Sequence, residues 1–251
     1  MRCRKLRLAL AAAWLGATSS TGVSAQDDQV RERVRMVEEI AADARATASY
    51  TGRSSFGRRV MEVMGKVPRH EFVPANRSRD AYRNRPLPIG GGQTISQPFI
   101  VALSTDLLEP RPEHVVLEVG TGSGYQAAVL AELVRQVYSI EIVEPLGREA
   151  ALRLRALGYD NVEVKIGDGY QGWPAKGPFD GIVVTAAAPR VPQPLVDQLK
   201  PGGRMVIPVG ASWAEQELVL IEKNADGSVV RRSVLPVRFV PMTGEAQRPR
   251  Q

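Results

Sequence analysis

Val115-Val-Leu-Glu-Val-Gly-Thr-Gly-Ser-Gly-Tyr125 decides the fold of this chain. The valines and leucine around Glu118 predict a short buried strand. Gly120, Gly122 and Gly124 follow on alternate positions, and Gln126-Ala-Ala-Val-Leu-Ala-Glu-Leu-Val134 has the composition of a helix. A strand, a glycine turn and a helix in that order let main chain come very close to a nucleotide-like ligand.

Downstream, strands and helices alternate. Residues 136–141 predict a second strand, and 144–157 a helix with Pro145 in its first turn and Gly158 just past its end. Residues 162–166 and 179–184 predict two more strands, 192–199 a helix and 204–209 a fifth strand. Residues 218–222 and 233–240 flank Asn224-Ala-Asp-Gly227, a hairpin signature. The fold class is therefore α/β: a doubly wound, Rossmann-like sheet with an antiparallel C-terminal hairpin and an N-terminal helical and loop extension.

Upstream, residues 26–48 predict an amphipathic helix with Val30, Val34, Val37 and Ile40 on one face. Ser54 or Ser55 is placed to cap a second helix through Met64, carrying Phe56, Val60 and Met64. Residues 67–98 are rich in proline and glycine, a longer irregular segment than compact domains ordinarily hold. Phe72, Tyr82, Leu87, Ile89 and Ile95 run through it, which favours an ordered loop packed over something. Residues 99–108 then predict a helix.

The first 25 residues read differently. Arg2, Arg4, Lys5 and Arg7 precede an apolar run over residues 8–17, and small residues end at Val23-Ser24-Ala25. That is the layout of a secretory signal, and its apolar run is too short for a membrane span. A translation start at Met36 is the competing reading. Removing residues 1–25 takes four of the 33 basic residues and none of the 27 acidic ones, leaving a formal charge of +2. No electrostatic case for nucleic acid remains. The only cysteine, Cys3, leaves as well. The organisation expected is a leader (1–25), N-terminal helices and a covering loop (26–98), a cofactor-binding core (99–243) and a frayed tail (244–251). No stable membrane association is expected, and a monomer is.

Ligands of open α/β sheets sit outside the carboxyl ends of the strands, so the residues there are the candidates. Gly120, Gly122 and Gly124 follow the first strand. Glu141 ends the second, placed to accept both hydroxyls of a ribose, and Asp168 and Gly169 follow the third, where a carboxylate suits an adenine amino group. A dinucleotide-binding loop would carry its third glycine one residue later. The tighter spacing, with Glu118 inside the strand end, points to S-adenosylmethionine (AdoMet) instead. His70 and His114 are the only histidines and lie far apart, so neither a metal site nor a histidine-based triad is expected.

The segment before the sheet narrows the reading. Pro68-Arg-His-Glu-Phe-Val-Pro74, Ala81-Tyr82, Leu87-Pro-Ile-Gly90 and Gly92-Gln-Thr-Ile-Ser-Gln-Pro98 resemble the protein-L-isoaspartate O-methyltransferase family. So do the glycine loop, Gly167-Asp-Gly169 with Gly172-Trp173, Phe179-Asp180, Gln198-Leu-Lys-Pro-Gly-Gly203, Pro208-Val-Gly210 and Phe239-Val-Pro241. The resemblance covers about residues 60–243. It departs at the N-terminus, because the family is usually cytosolic, starts near Met36 and has no signal.

The resemblance implies methyl transfer from AdoMet to the α-carboxylate of L-isoaspartyl, and in the family D-aspartyl, residues of damaged proteins. The ester then collapses to a succinimide that reopens in part as normal aspartate. A carboxylate is ionised near neutral pH, so the absence of an obvious base fits this chemistry. The resemblance assigns Ser96 to the active site, orienting the acceptor while Ile95 and Pro98 shield the methyl. Thr94, Ile95 and Ser96 border the cofactor together with Glu118, the three glycines, Glu141, Asp168 and Gly169. Gln97, Val209, Gly210 and Gln216 are the expected peptide contacts. Three competing readings stay open here: an NAD-dependent oxidoreductase, a small-molecule methyltransferase, and an exported binder of altered peptides without turnover.

Overall fold

The computed structural model describes residues 21–212 and 215–244. Most of the expected leader, Trp213 and nearly all of the expected tail lie outside them. The described residues open with α1 (Thr21–Ala46), a one-turn α2 (Ala48–Thr51) and α3 (Arg58–Lys66). Two 3-10 turns, Arg69–Phe72 and Ala75–Asp80, lead to the strands β1 (Leu87–Gly90) and β2 (Gln93–Ile95) and to α4 (Pro98–Leu107). Then come β3 (Val115–Val119), α5 (Tyr125–Ala131), β4 (Gln136–Glu141), α6 (Glu144–Ala156) and β5 (Val162–Ile166). The last elements of the described residues are β6 (Phe179–Val184), α7 (Gln193–Asp197), β7 (Leu199–Ser212), β8 (Glu215–Lys223) and β9 (Val229–Val237).

Seven strands form one sheet in the order β5-β4-β3-β6-β7-β8-β9. The first five in that order pair in parallel, and β8 is antiparallel to both of its neighbours. From β3 the chain steps outward to β5 and then returns to the far side of β3, so the direction of winding reverses between β3 and β6. A crevice opens at such a reversal, beyond the strand ends. The pairs Val116/Leu117, Val183/Val184 and Val206/Ile207 are buried, with one member in each of two cores. Successive strand residues face opposite sides, so continuous apolar runs are what a sheet covered on both faces requires. One core packs against α1, α3, α4 and α5, the other against α7.

Three local expectations need correction. In α1 the buried stripe is Met36, Ile40 and Ala44, whereas Val30 and Val34 are 53% and 54% exposed. Both sets have helical spacing, and the contact with α4 selects the stripe that reaches it. Neither Ser54 nor Ser55 caps α3, whose N-cap is Gly57; the Gly57 amide donates to Asp106 of α4 at 2.7 Å. The helix expected over 192–199 is the single turn α7, because Leu199 already pairs with Phe179 as the first residue of β7.

Residues 67–98 are an ordered cover, as their apolar content implied. Phe72, Tyr82, Leu87 and Ile95 are buried in the first core. Gly90, Gly91 and Gly92, all at positive φ, turn the β1–β2 hairpin over the sheet's carboxyl edge.

Candidate active site

The glycine loop is tied down from two sides. The Gly120 and Thr121 amides donate to the Ile140 carbonyl, and the Gly122 amide donates to Glu141 Oε2 at 2.7 Å. Glu141 Oε1 accepts the Val143 amide at 2.9 Å. Each carboxylate oxygen has two lone pairs, so both keep one acceptor position. Gly120 has φ of +98°, and a Cβ there would fall 2.3 Å from Thr185 Oγ1. It is a glycine because β6 arrives against it. Gly124 packs against Leu154 of α6 and lies away from the ligand crevice, so helix packing accounts for it.

Glu118 sits beneath this loop with no exposed surface. It accepts from Ser139 Oγ, which contacts Thr121 Oγ1 at 2.5 Å, and it faces the first turn of α5 at Ala127. Burial pushes its carboxyl up to about 8, with nearby Glu141 adding to the rise. A neutral acid is thus the form present at neutral pH.

The serine loop reaches over the same edge. Thr94 is exposed, Ile95 is buried, and Ser96 is half-buried with no hydrogen bond from its hydroxyl among the described residues. Its carbonyl accepts from Arg69 Nη2 at 2.7 Å. Gln97 is the N-cap of α4 and Pro98 its first residue. Asn84 accepts the Phe99 amide at 3.0 Å and donates to Asp43 of α1 at 2.8 Å, which fixes the far end of the loop.

Two clefts meet here. The narrower, about 560 Å³ including its mouth, lies at the ends of β3, β4 and β6, with Gly120, Gly122, Glu141 and Gly169 in its wall. Ile142, Val143 and Met242 give it apolar sides. The wider, about 1360 Å³, is bordered by Ser96, Gln97 and residues 235–240. Thr94, Thr185 and Val240 line both. A small recess lined by Thr94, Ile95, Ser96 and Glu118 lies behind the glycine loop.

Gly124 and Pro98 do not line these walls, and neither do four further sequence candidates. Asp168 caps the 3-10 turn Gly169–Gln171 by accepting the Tyr170 amide at 2.9 Å, and Gly244 packs against its carboxylate. Val209 and Gly210 belong to the end of β7, where Gly210 donates to the Ala188 carbonyl at 2.9 Å. Gln216 is buried, and its amide binds the Phe239 main chain both ways, accepting at 2.6 Å and donating at 3.1 Å. It supports the wall of the wider cleft from behind. Conversely, Thr185, Val240 and Met242 were missed. Phe239-Val-Pro241 stood out as a motif, but nothing local shows that Pro241 pairs with Ala187, 54 residues away in sequence. Among the described residues no group of three histidine, cysteine or acidic side chains is placed to hold a metal ion.

A carboxylate at the end of β4, a glycine-rich loop after β3 and apolar flanks suit a nucleoside bearing a charged amino-acid arm. Fold and site together define a Rossmann-like, AdoMet-dependent methyltransferase. Residues 51–247 match the family described as Protein-L-isoaspartate(D-aspartate) O-methyltransferase, and the chain belongs to it. It is 64% identical over 210 residues to protein-L-isoaspartate O-methyltransferase 2 of Polaromonas sp., covering 84% of this chain and all of that one. A relative of the same name from Syntrophobacter fumaroxidans is 60% identical, covering 92% of this chain and 94% of its own. A solved protein-L-isoaspartate O-methyltransferase superposes with a TM-score of 0.73 at 27% identity, over 85% of this chain and 67% of that one. A Plasmodium falciparum structure described under the same family name, in complex with S-adenosyl-L-homocysteine, gives 0.64 at 27% identity, over 74% and 91%.

Proposed function

We propose that this chain methylates the α-carboxylate of L-isoaspartyl residues in damaged proteins, using AdoMet. The observation that carries the reading is the shared wall of the two clefts. Thr94, Thr185 and Val240 face both, with Ser96 in the wider one and the glycine loop in the narrower. A donor on one side and an acceptor on the other can then meet in line.

AdoMet supplies an electrophilic methyl on a sulfonium. Gly120, Gly122 and Gly169 would leave room for it and the spare lone pairs of Glu141 would accept from its ribose, while Asp168, one layer back as the cap of the Gly169–Gln171 turn, would set the wall at the adenine end. Glu118 holds the loop from beneath as a neutral acid. The acceptor arrives ionised, so the chain needs no general base. Ser96 and Thr94 orient the carboxylate, and Ile95 and Pro98 exclude water from the transfer path; alignment and desolvation are the two contributions left to the enzyme. Gln97 and the main chain at residues 237–239 receive the peptide. Gln216, Val209 and Gly210 act one layer back, by fixing Phe239 and Ala188. Contacts to peptide main chain suit substrates whose flanking sequences differ.

The test uses a pair of peptides differing only in isoaspartyl or aspartyl linkage. Base-labile methylation of the first alone supports the reading, and equal methylation of both contradicts it. The residues named in both clefts all come from one chain, which supports a monomer as the working form. Residues 1–25 are read as an export leader; N-terminal sequencing of the native protein supports this with a start at Gln26 and contradicts it with a start at Met1 or Met36.

A further inference from the structure

Arg69 is fully buried, 12 residues from Ala81 and 27 from Ser96 in sequence, yet it joins them. Its Nε donates to the Ala81 carbonyl at 2.8 Å and its Nη2 to the Ser96 carbonyl at 2.7 Å. The guanidinium lies over the Tyr125 ring at 4.7 Å, and Nη1 has no acceptor. The charged or titratable groups acting on it are two tyrosines, Tyr125 and Tyr82, with no carboxylate among them. Burial pulls its pKa down only to about 10, so it stays a cation at neutral pH.

A buried cation without a counter-ion is costly, and two carbonyl dipoles and a ring face offset only part of that cost. What lies in front of it is the loop that presents Ser96 to the acceptor cleft. We propose that Arg69 is a positioning residue for the acceptor: it pins Ser96 through its carbonyl, and its unpaired charge favours an ionised carboxylate in the cleft beyond.

The chemistry explains why the charge stands one layer back. The acceptor carboxylate loses its negative charge as the methyl arrives. A cation in direct contact would hold the ground state more strongly than the transition state and slow transfer. Set behind the serine main chain, the charge draws the anion in without gripping the attacking oxygen. Loss of the charge therefore acts on KM, and loss of the pin on Ser96 acts on kcat. Lysine keeps the charge but lacks the planar fork that spans two carbonyls and stacks on a ring.

This inference rests on the proposed isoaspartyl reading, and the experiment separates the two. Full-length wild type, R69M and R69K are titrated, with S-adenosyl-L-homocysteine bound, against an isoaspartyl peptide and its α-carboxamide analogue. Wild type is expected to prefer the carboxylate; if it does not, the functional reading itself fails and takes the inference with it. R69M is expected to weaken the carboxylate peptide by about 10-fold while shifting the carboxamide peptide and S-adenosyl-L-homocysteine less than about twofold. R69K is expected to keep most of the preference in the titration while its kcat, assayed separately with AdoMet, falls, and it carries the test alone if R69M does not fold. Equal weakening of both peptides, or loss of the preference in R69K, assigns Arg69 a purely structural role and overturns the inference.

Discussion

Glu141 and Gly122 are joined by a 2.7 Å hydrogen bond from the glycine amide to the carboxylate. The residue expected to bind ribose is thus the one that also shapes the glycine loop. Because its other oxygen accepts the Val143 amide, both oxygens must be acceptors. Glu141→Gln turns an NH2 toward one of these amides and is therefore not a conservative change. It is expected to weaken S-adenosyl-L-homocysteine binding by about 10-fold or more, the scale of a lost charge-assisted hydrogen bond. Calorimetric titration checks this, and unchanged affinity contradicts it.

On the proposed mechanism, Ser96 contributes its hydroxyl to orientation, not proton transfer. Ser96→Ala is expected to lower kcat by about 10- to 100-fold, as misplacement of a reacting group does. Cofactor affinity and the shape of the pH–rate profile are expected to persist. Unchanged turnover removes the assignment.

Two glycines with the same backbone constraint separate strain from contact. Gly202 has φ of +80° with open space beside it, whereas Gly120 has φ of +98° and Thr185 Oγ1 at 2.3 Å from a built Cβ. Gly202→Ala is expected to cost about 1 kcal/mol and Gly120→Ala about 3 kcal/mol or more. Urea unfolding of both variants measures the difference, and similar costs refute the close approach of β6 to the loop.

Glu118 predicts a pH dependence. Its folded pKa of about 8 lies above its ordinary value of 4.5, so the folded chain holds the proton longer than the unfolded one. Stability from the neutral acid is complete below about 4.5 and is lost as pH rises toward 8. Glu118→Gln, which mimics the neutral form, is expected to remove that slope. Wild type then loses more Tm between pH 5 and 8 than the variant does, and parallel curves contradict the assignment.

The strand ends were legible because their signals are local. A buried run followed by glycine, Glu141 or Asp168 is written in consecutive residues, and the order of strands and helices follows from the same pattern. Features decided by distant partners were not. Val30 and Val34 have as good a helical spacing as Met36 and Ile40, and only α4 distinguishes the two stripes. Ser54 and Ser55 look like caps, but the Gly57 amide is met by Asp106, 49 residues on. Gln216 looks like an exposed polar contact until Phe239 folds onto it. Arg69 sits in the Pro68-Arg-His-Glu-Phe-Val-Pro74 motif, yet its meaning depends on Ser96 and Tyr125 closing around it.

The most direct test of the central claim follows one isoaspartyl peptide through the reaction by mass spectrometry. The full chain with AdoMet is predicted to add one methyl to the α-carboxyl. Spontaneous attack by the neighbouring main-chain nitrogen then expels methanol, leaving a succinimide that opens in part to the aspartyl peptide. A methyl found on any other atom, or an isoaspartyl peptide left unmodified while S-adenosyl-L-homocysteine binds normally, would contradict the account.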